Sequence, residues 1–199
     1  MSAITLYGDS ESGNCLKTRW AAEHTGQDFD WVEIDSVGGE TRTEAFLAIN
    51  PAGQVPVMRL ADGRVLAQSN AILLYLAEGS DLIPSDGFER AQMMQWLFFE
   101  QYSHEPYIAV RRAQRRFFNI AEDDLDPDLL AKGRRALGVM EMKLLTCPFL
   151  LGDQMSCADI ALVAYTRVAH EGGFDLGEFP AVSGWVRRVE TALGLEHAG

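Results

Sequence analysis

The sequence predicts an α/β domain followed by an all-α domain, and two observations carry this prediction. Strand and helix patterns alternate over about the first eighty residues in the order β-α-β-α-β-β-α. After a polar segment at 80–87, no strand pattern recurs and helical patterns continue to the end of the chain. We therefore expect domains at 1–79 and 88–199, joined by a linker at 80–87.

The first half of the N-terminal domain has the pattern of a parallel β-α-β-α unit. The apolar run "AITLYG" predicts a buried strand, and "CLKTRWAAEHTG" predicts a helix with a C-cap glycine at Gly26. The alternation in "FDWVEID" predicts a second strand, and "TRTEAFLAIN" predicts a short helix. Such a unit places both strands side by side in one sheet.

The second half of this domain has the pattern of a hairpin followed by a helix. Asp62–Gly63 is a strong hairpin turn, which joins expected strands near Val55–Leu60 and Arg64–Ala67. The segment "SNAILLYLAEG" then predicts a third helix that stops at Gly79. Together the two halves predict one mixed sheet with helices packed on it.

The rest of the chain predicts a helical bundle. A long helical pattern over 88–118 is expected to bend at Pro106, and a further helix is expected to begin near Pro127. Ser156 and Asp159 have the spacing of a capping box at the start of an apolar helix, and we assign Asp159 to structure. A last helix is predicted in "PAVSGWVRRVETALG".

Composition limits the classes of function. The 199 residues are 47% hydrophobic and 23% charged, as in a typical globular protein. The net charge of -12 argues against binding to nucleic acid and to anionic membranes, because both need a basic surface. No apolar run approaches the roughly 20 residues of a membrane-spanning helix, and the N-terminus lacks a signal pattern.

The cysteines indicate a reducing compartment. Cys15, Cys147 and Cys157 are odd in number and widely spaced, so they form neither a disulfide framework nor a metal motif. No cluster of histidine, cysteine and carboxylate residues has metal-ligand spacing, and we expect no metal. The sequence therefore predicts a cytoplasmic protein with free thiols.

Polar side chains gather where the first strand gives way to the first helix, in "SESGNCLKTR". Ser12 has two interpretations: it caps the helix, or it donates a hydrogen bond to an anion at the helix N-terminus. Cys15 is the competing candidate, since a thiol near a helix N-terminus can ionise. It lacks a partner at CxxC spacing, so burial without reactivity is the preferred interpretation.

Two further segments favour a ligand at the same end of the sheet. In "NPAGQVPV", a cis bond before Pro56 would turn the backbone of Val55 outward toward an extended ligand. In "QSNA", Ser69 and Asn70 open a helix, so they either cap it or bind an anion. The convergence of two helix starts and one irregular strand start suggests a ligand with separated carboxylates and a peptide backbone.

These segments resemble those of a known family. "SGNCLKTR", "NPAGQVPV", "QSNAILLYLAE" and "LLGDQMSCADIALVAY", in this order and spacing, are similar to glutathione S-transferases over essentially the whole chain. The resemblance implies a thioredoxin-like N-terminal domain, an all-helical C-terminal domain and a homodimer. It implies that glutathione lies along the first domain, with a small electrophilic substrate between the domains.

The resemblance also implies roles for individual residues. Ser12 matches the thiolate-activating serine of bacterial, serine-type enzymes that resemble the theta, zeta and phi classes. Pro56 matches the family's cis-proline, with Val55 as the backbone partner of the cysteinyl unit. Gln68 and Ser69 match the pair that holds the γ-glutamyl end, although Gln68 replaces the usual acid. We therefore expect that glutathione binds more weakly at this end, or that a neighbouring subunit contributes to holding it.

Other residues complete the predicted site. We expect Asn14, at the Ser12 turn, to contact glutathione, and Arg42 and Gln54 are candidates for the glycyl carboxylate, although Arg42 is equally consistent with a solvated charge. His104, Tyr107 and Arg111 share one helical face. They are candidates for the electrophile pocket, and a satisfied polar face is the alternative.

The predicted activity is glutathione transfer to a small electrophile, with Ser12 stabilising the glutathione thiolate. Three alternatives remain on the same scaffold: glutathione-dependent disulfide reduction, isomerisation, and a non-enzymatic interaction module.

Overall fold

The computed structural model describes residues 3–198 and divides them into two compact units, one ending at Ile83 and the other beginning at Pro84. The division falls within the segment 80–87. The first unit is a four-stranded sheet with helices, and the second has helices and no strand over its described residues. This confirms the predicted fold class.

The sheet has the strand order β2-β1-β3-β4, with β1 and β2 parallel and the other neighbours antiparallel. Tyr7 pairs with Val32 on one side and Val57 on the other, and Val57 pairs with Ala67. The end of β1, the start of β3 and the end of β4 therefore lie at one end of the sheet. The strands are β1 (Ile4–Gly8), β2 (Phe29–Glu33), β3 (Val57–Leu60) and β4 (Val65–Ala67).

The hairpin strands are shorter than predicted. The ladder of β3 begins at Val57 rather than Val55, because Pro56 has no N–H to donate. The Val55–Pro56 peptide bond is cis, as the resemblance implied.

Three α-helices accompany the sheet: α1 (Gly13–His24), α2 (Glu44–Leu47) and α3 (Ser69–Ala77). The segment predicted as one short helix is instead a 3-10 turn, Glu40–Arg42, followed by α2. The two are separated because Thr43 is extended and its hydroxyl accepts the N–H of Phe46, which starts a new helix. Helices α1 and α3 pack against each other.

The second unit contains α4 (Gly87–Phe99), α5 (Glu105–Arg116), α6 (Pro127–Leu144), α7 (Cys157–Thr166) and α8 (Pro180–Ala192). A π-helical segment, Glu100–His104, joins α4 to α5 directly before Pro106. Proline cannot donate the usual helical hydrogen bond. The hydrogen-bond pattern of the helix therefore changes to π-helical about one turn before Pro106, where the bend was expected.

Helix α7 forms the centre of the second unit, and all ten of its residues are buried. The predicted capping box is present, with Asp159 accepting the N–H of Ser156 at 2.9 Å. The same carboxylate accepts the indole N–H of Trp185 at 2.8 Å and the N–H of Leu150 at 2.9 Å. The structural assignment of Asp159 is therefore confirmed. Within residues 3–198, no helix is both long and apolar enough to cross a membrane.

Candidate active site

The sheet register brings the predicted binding segments together. Helix α1 follows the end of β1, and α3 follows the end of β4, so both helices start at the same end of the sheet. The Ser69 hydroxyl lies 3.0 Å from the amide oxygen of Asn14 and donates a hydrogen bond to it. This contact joins the first turns of the two helices. The convergence predicted from the sequence is confirmed.

Ser12 stands at the N-cap of α1 with extended backbone angles, and it is half-buried. Its N–H donates to the Asp9 carbonyl at 3.0 Å, and its carbonyl accepts from Leu16 at 2.9 Å. Its hydroxyl makes no capping bond to the helix. The hydroxyl therefore does not perform the capping role that was the structural alternative for this residue.

Cys15 lies one turn into α1 and is fully buried. The pKa of its thiol is raised to about 11, mainly by burial, and the charges of Asp9 and Glu33 contribute in the same direction. Hydrogen bonds from the Asp9 backbone and the Ser12 side chain lower this pKa by less. The thiol is thus protonated at neutral pH, which supports the prediction that Cys15 is unreactive.

The loop before Ser12 is held by carboxylates. Asp9, itself buried, accepts the N–H of Glu11 at 2.8 Å and bonds both the N–H and the hydroxyl of Ser36. Glu33, at the end of β2, accepts the N–H and the hydroxyl of Ser10, each at 2.7 Å. These two acids were not predicted as site residues, although Glu33 lies within the expected second strand and ends the observed β2.

Two predicted site residues, Gln54 and Arg42, lie in or near the segment that precedes the cis peptide bond. The carbonyl of Gln54 accepts from the Asn50 side chain at 2.8 Å. The Arg42 guanidinium lies against Gly53, since a Cβ there would sit 2.6 Å from one of its nitrogens. Gly53 has a positive φ of 61°, so glycine suits both the backbone and this close approach. Arg42 therefore lies beside Gly53, the residue that precedes Gln54 in the chain.

Gln68 occupies an unusual backbone conformation directly before α3. Its φ is 74°, one of two positive values among the described non-glycine residues, and its side chain is exposed. A residue held in such a conformation is often found at a binding site. Ser69, which follows, is buried and bonded to Asn14 as described above.

Lys17 was not predicted as a site residue, and no sequence signal marks it. Its side chain is fully buried between α1 and α3, where the ammonium group donates to the Asn70 amide oxygen at 3.1 Å. Asn70 thus contacts α1, an arrangement that sequence reasoning did not foresee for it.

The three candidates for the electrophile pocket differ in their surroundings. His104 is buried with its Nε2 2.9 Å from the Thr166 hydroxyl. Arg111 is buried, donates to the Gly172 carbonyl at 2.8 Å and pairs with Glu122. These contacts give both residues a structural role inside the helical unit, whereas Tyr107 is half-exposed.

Two family models match the chain. The glutathione S-transferase N-terminal domain matches residues 11–78, and the C-terminal domain matches residues 95–192. The chain belongs to the glutathione S-transferase family. The family expected from the sequence is confirmed.

Solved structures agree with this membership. A glutathione S-transferase from Pseudomonas fluorescens Pf-5 has a TM-score of 0.92 and 48% identity, with 96% of each chain covered. Ure2p in complex with glutathione has a TM-score of 0.85 and 25% identity, covering 96% of this chain and 91% of that one.

The curated relatives differ in their described activities. Disulfide-bond oxidoreductase YfcG of Escherichia coli K12 is 32% identical over 85% of this chain and 82% of its own length. Two other relatives are longer proteins: the chain spans 65% of Protein URE2 of Eremothecium gossypii and 37% of elongation factor 1-gamma of Artemia salina. Membership of the family therefore does not by itself select one activity.

The thiols offer a direct test of the site's geometry. Because burial and nearby acids raise the pKa of Cys15 to about 11, iodoacetamide at pH 7 should alkylate half-buried Cys147 well before Cys15. Alkylation of Cys15 should accelerate only as the pH approaches 11. Peptide mass spectrometry of the native protein follows both residues. Modification of Cys15 at neutral pH, at the rate of Cys147, would contradict the assigned burial and protonation.

Proposed function

We propose that this protein is a glutathione transferase in which Ser12 stabilises the glutathione thiolate. The observation that carries the proposal is the Ser12 hydroxyl at the N-terminus of α1, which is not used to cap the helix. The N-terminal N–H groups of a helix and its dipole favour a negative charge at this point. A hydroxyl donor beside them adds one hydrogen bond to a bound thiolate.

The chemical step follows from that arrangement. The thiol of glutathione loses its proton to solvent, and the thiolate sulfur attacks an electrophilic centre of the second substrate. A carbon–sulfur bond forms, and the electron pair displaced from the electrophile leaves with a departing group or takes up a proton. The protein supplies no covalent nucleophile of its own, so its contribution is to stabilise and orient the thiolate.

The other parts of glutathione are assigned to residues by their charge and hydrogen-bonding groups. Arg42 and Gln54 would hold the glycyl carboxylate, since Arg42 supplies a cation in a protein of net charge -12. The Val55 backbone, which precedes the β3 ladder, would bind the cysteinyl unit. Gln68, Ser69 and Asn14 would hold the γ-glutamyl end at the start of α3. Tyr107 is the remaining candidate for contact with the electrophile.

Disulfide reduction is a second candidate, favoured by the similarity to the oxidoreductase YfcG. Here the glutathione thiolate attacks a disulfide sulfur and expels one thiol. A second glutathione then releases the other thiol and leaves as oxidised glutathione. Comparing an electrophile panel with a disulfide substrate distinguishes the two activities. An interaction module without catalysis would show neither.

The proposal includes a cytoplasmic homodimer. The three cysteines are free, which suits a reducing compartment. Exposed apolar side chains on α4 and α6 supply surface for a second copy, among them Phe88, Phe98 and Met142. Sedimentation velocity should give twice the mass of the chain, and a single-chain mass would exclude the dimer.

Replacing Ser12 tests the central residue. Ser12→Ala should raise the pKa of bound glutathione and slow conjugation at neutral pH by about 10²-fold, the lower end of the loss usual for one donor in a charge-stabilising site. We expect the smaller rate loss because the N–H groups at the N-terminus of α1 remain and still stabilise the thiolate. The measurements are the pH–rate profile and the ultraviolet absorbance of the bound thiolate.

Cys15→Ala is the matched control for this variant. It changes a buried thiol one turn further into α1, and it should retain conjugation and form no mixed disulfide with glutathione. A Ser12→Ala protein with wild-type rate and thiolate absorbance would exclude the serine assignment. Glutathione covalently attached to Cys15 would transfer the role to the cysteine.

The γ-glutamyl end gives a separate test. Gln68→Glu preserves side-chain shape at the strained backbone and replaces a neutral acceptor by a charged one, so it should tighten glutathione binding by about 1 kcal/mol. Ser69→Ala should weaken binding by at least as much and leave the rate at saturating glutathione little changed, because this contact is equal before and during attack. Calorimetric titration measures both. Weaker binding by Gln68→Glu would show that another group already neutralises the ammonium.

A further inference from the structure

The loop between β1 and α1 depends on an acid from a neighbouring strand. Glu33 pairs with Gly8 in the parallel β1–β2 ladder, so its side chain starts beside the residue at which the loop begins. One carboxylate oxygen accepts the Ser10 N–H, and the other accepts the Ser10 hydroxyl, both at 2.7 Å. The carboxylate thereby fixes backbone and side chain of a residue two positions before Ser12.

A tryptophan holds the carboxylate in turn. The Trp31 indole N–H donates to Glu33 at 2.6 Å, and the Trp31 ring covers Gly8 so closely that a Cβ there would lie 2.3 Å from the ring. The Arg19 guanidinium lies over the same ring, 5.6 Å from its centroid. Glu33 is thus held from β2 and joined through Trp31 to α1, the helix at whose N-terminus Ser12 stands.

The charged groups around Glu33 set the electrostatics of the loop. Arg19 on α1 favours its ionised form, and Asp9 on the loop is a second acid. Hydrogen bonds from Ser10 and Trp31 hold the pKa of the Glu33 carboxyl below its usual value despite its partial desolvation. Glu33 is therefore an anion at neutral pH. Its charge already acts on the buried thiol of Cys15, the third residue of α1.

We propose that Glu33 is a positioning residue for the reaction: it holds the loop that places Ser12 against the glutathione sulfur, while its negative charge limits how readily that sulfur ionises. The inference rests on the proposed function. Glu33 does not touch the reacting atoms; it acts through Ser10 and the loop. The two effects oppose each other, so variants that separate hydrogen bonding from charge distinguish them.

Two substitutions and one control make the test. Glu33→Ala removes both effects. Glu33→Gln retains an acceptor for the Ser10 N–H but removes the charge. Asp30→Asn is the control, because it removes a charge from the other face of the same strand. Asp30 pairs with Thr5, toward the opposite end of the ladder from Gly8. Both positions are exposed, so all three variants should fold.

The expected results differ for each variant. Glu33→Ala should lower kcat at saturating glutathione by about tenfold, a fraction of the loss that 1 Å of misplacement can cause. Glu33→Gln should lose less and shift the acidic limb of the pH–rate profile down by about 0.3 pH unit, as for a unit charge roughly 10 Å away in water. Asp30→Asn should match the wild type. A purely structural role would leave the pH profile unmoved.

Hydrogen exchange supplies a readout that does not depend on activity. In the ligand-free protein, Glu33→Ala should accelerate exchange of the amides at Ser10 and Ser12 by tenfold or more, a rough figure for the loss of about one hydrogen bond, and leave α3 unchanged. Wild-type exchange and wild-type kcat in Glu33→Ala would overturn the inference, and so would an unmoved pH profile in Glu33→Gln.

The same experiments separate this inference from the proposed function. If Ser12→Ala lowers the rate and Glu33→Ala does not, only the role of Glu33 is wrong. If Ser12→Ala has no effect on rate or thiolate absorbance, the proposed function is wrong. Accelerated exchange in Glu33→Ala would then show only that the carboxylate holds the loop, and the role in reaction would be overturned with the function.

Discussion

The pairing of Tyr7 with Val57, and of Val57 with Ala67, is the constraint on which the candidate site depends. It brings the end of β1, the start of β3 and the end of β4 to one end of the sheet, so three segments distant in sequence meet there. The Ser69–Asn14 hydrogen bond then joins the starts of α1 and α3. A slip of one residue in the β1–β3 register would turn the apolar side chains to the other face and break this convergence.

The electrostatics of the site balance two opposing effects. Two helix N-termini and the Ser12 hydroxyl favour an anion, whereas Asp9 and Glu33 bring negative charge close to the same turn and raise the pKa of Cys15. The buried thiol of Cys15 and the thiol of a glutathione bound beside Ser12 would therefore have different environments, although both lie near the start of α1. Cys15 is desolvated and stays protonated even though Ser12 and the Asp9 backbone donate hydrogen bonds to it, whereas a glutathione sulfur beside half-buried Ser12 would be less desolvated. This separation explains why a cosubstrate thiol, rather than the protein's own, is the proposed nucleophile.

Much of the architecture could be predicted because local patterns agree with tertiary structure. Apolar runs, the Asp62–Gly63 turn and the Ser156–Asp159 spacing each specify one element. The positions of Glu33, Lys17 and Asp9 could not be predicted, since hydrogen bonds across 23 or more residues leave no local pattern. His104 and Arg111 share a face by spacing, yet burial in the helical unit depends on α7 and the turn at Gly172. The π-helical segment likewise depends on how Pro106 is accommodated within the bundle.

Calorimetric titration of the wild-type protein with glutathione, in buffers of different ionisation enthalpy at pH 7, tests the central claim most directly. Binding with release of a proton is the predicted result, because the site stabilises the thiolate rather than the thiol, and the released fraction should fall as the pH rises above the pKa of free glutathione. Absence of binding would contradict the account and favour an interaction module. Binding without proton release would show that the tripeptide is held but its sulfur is not activated.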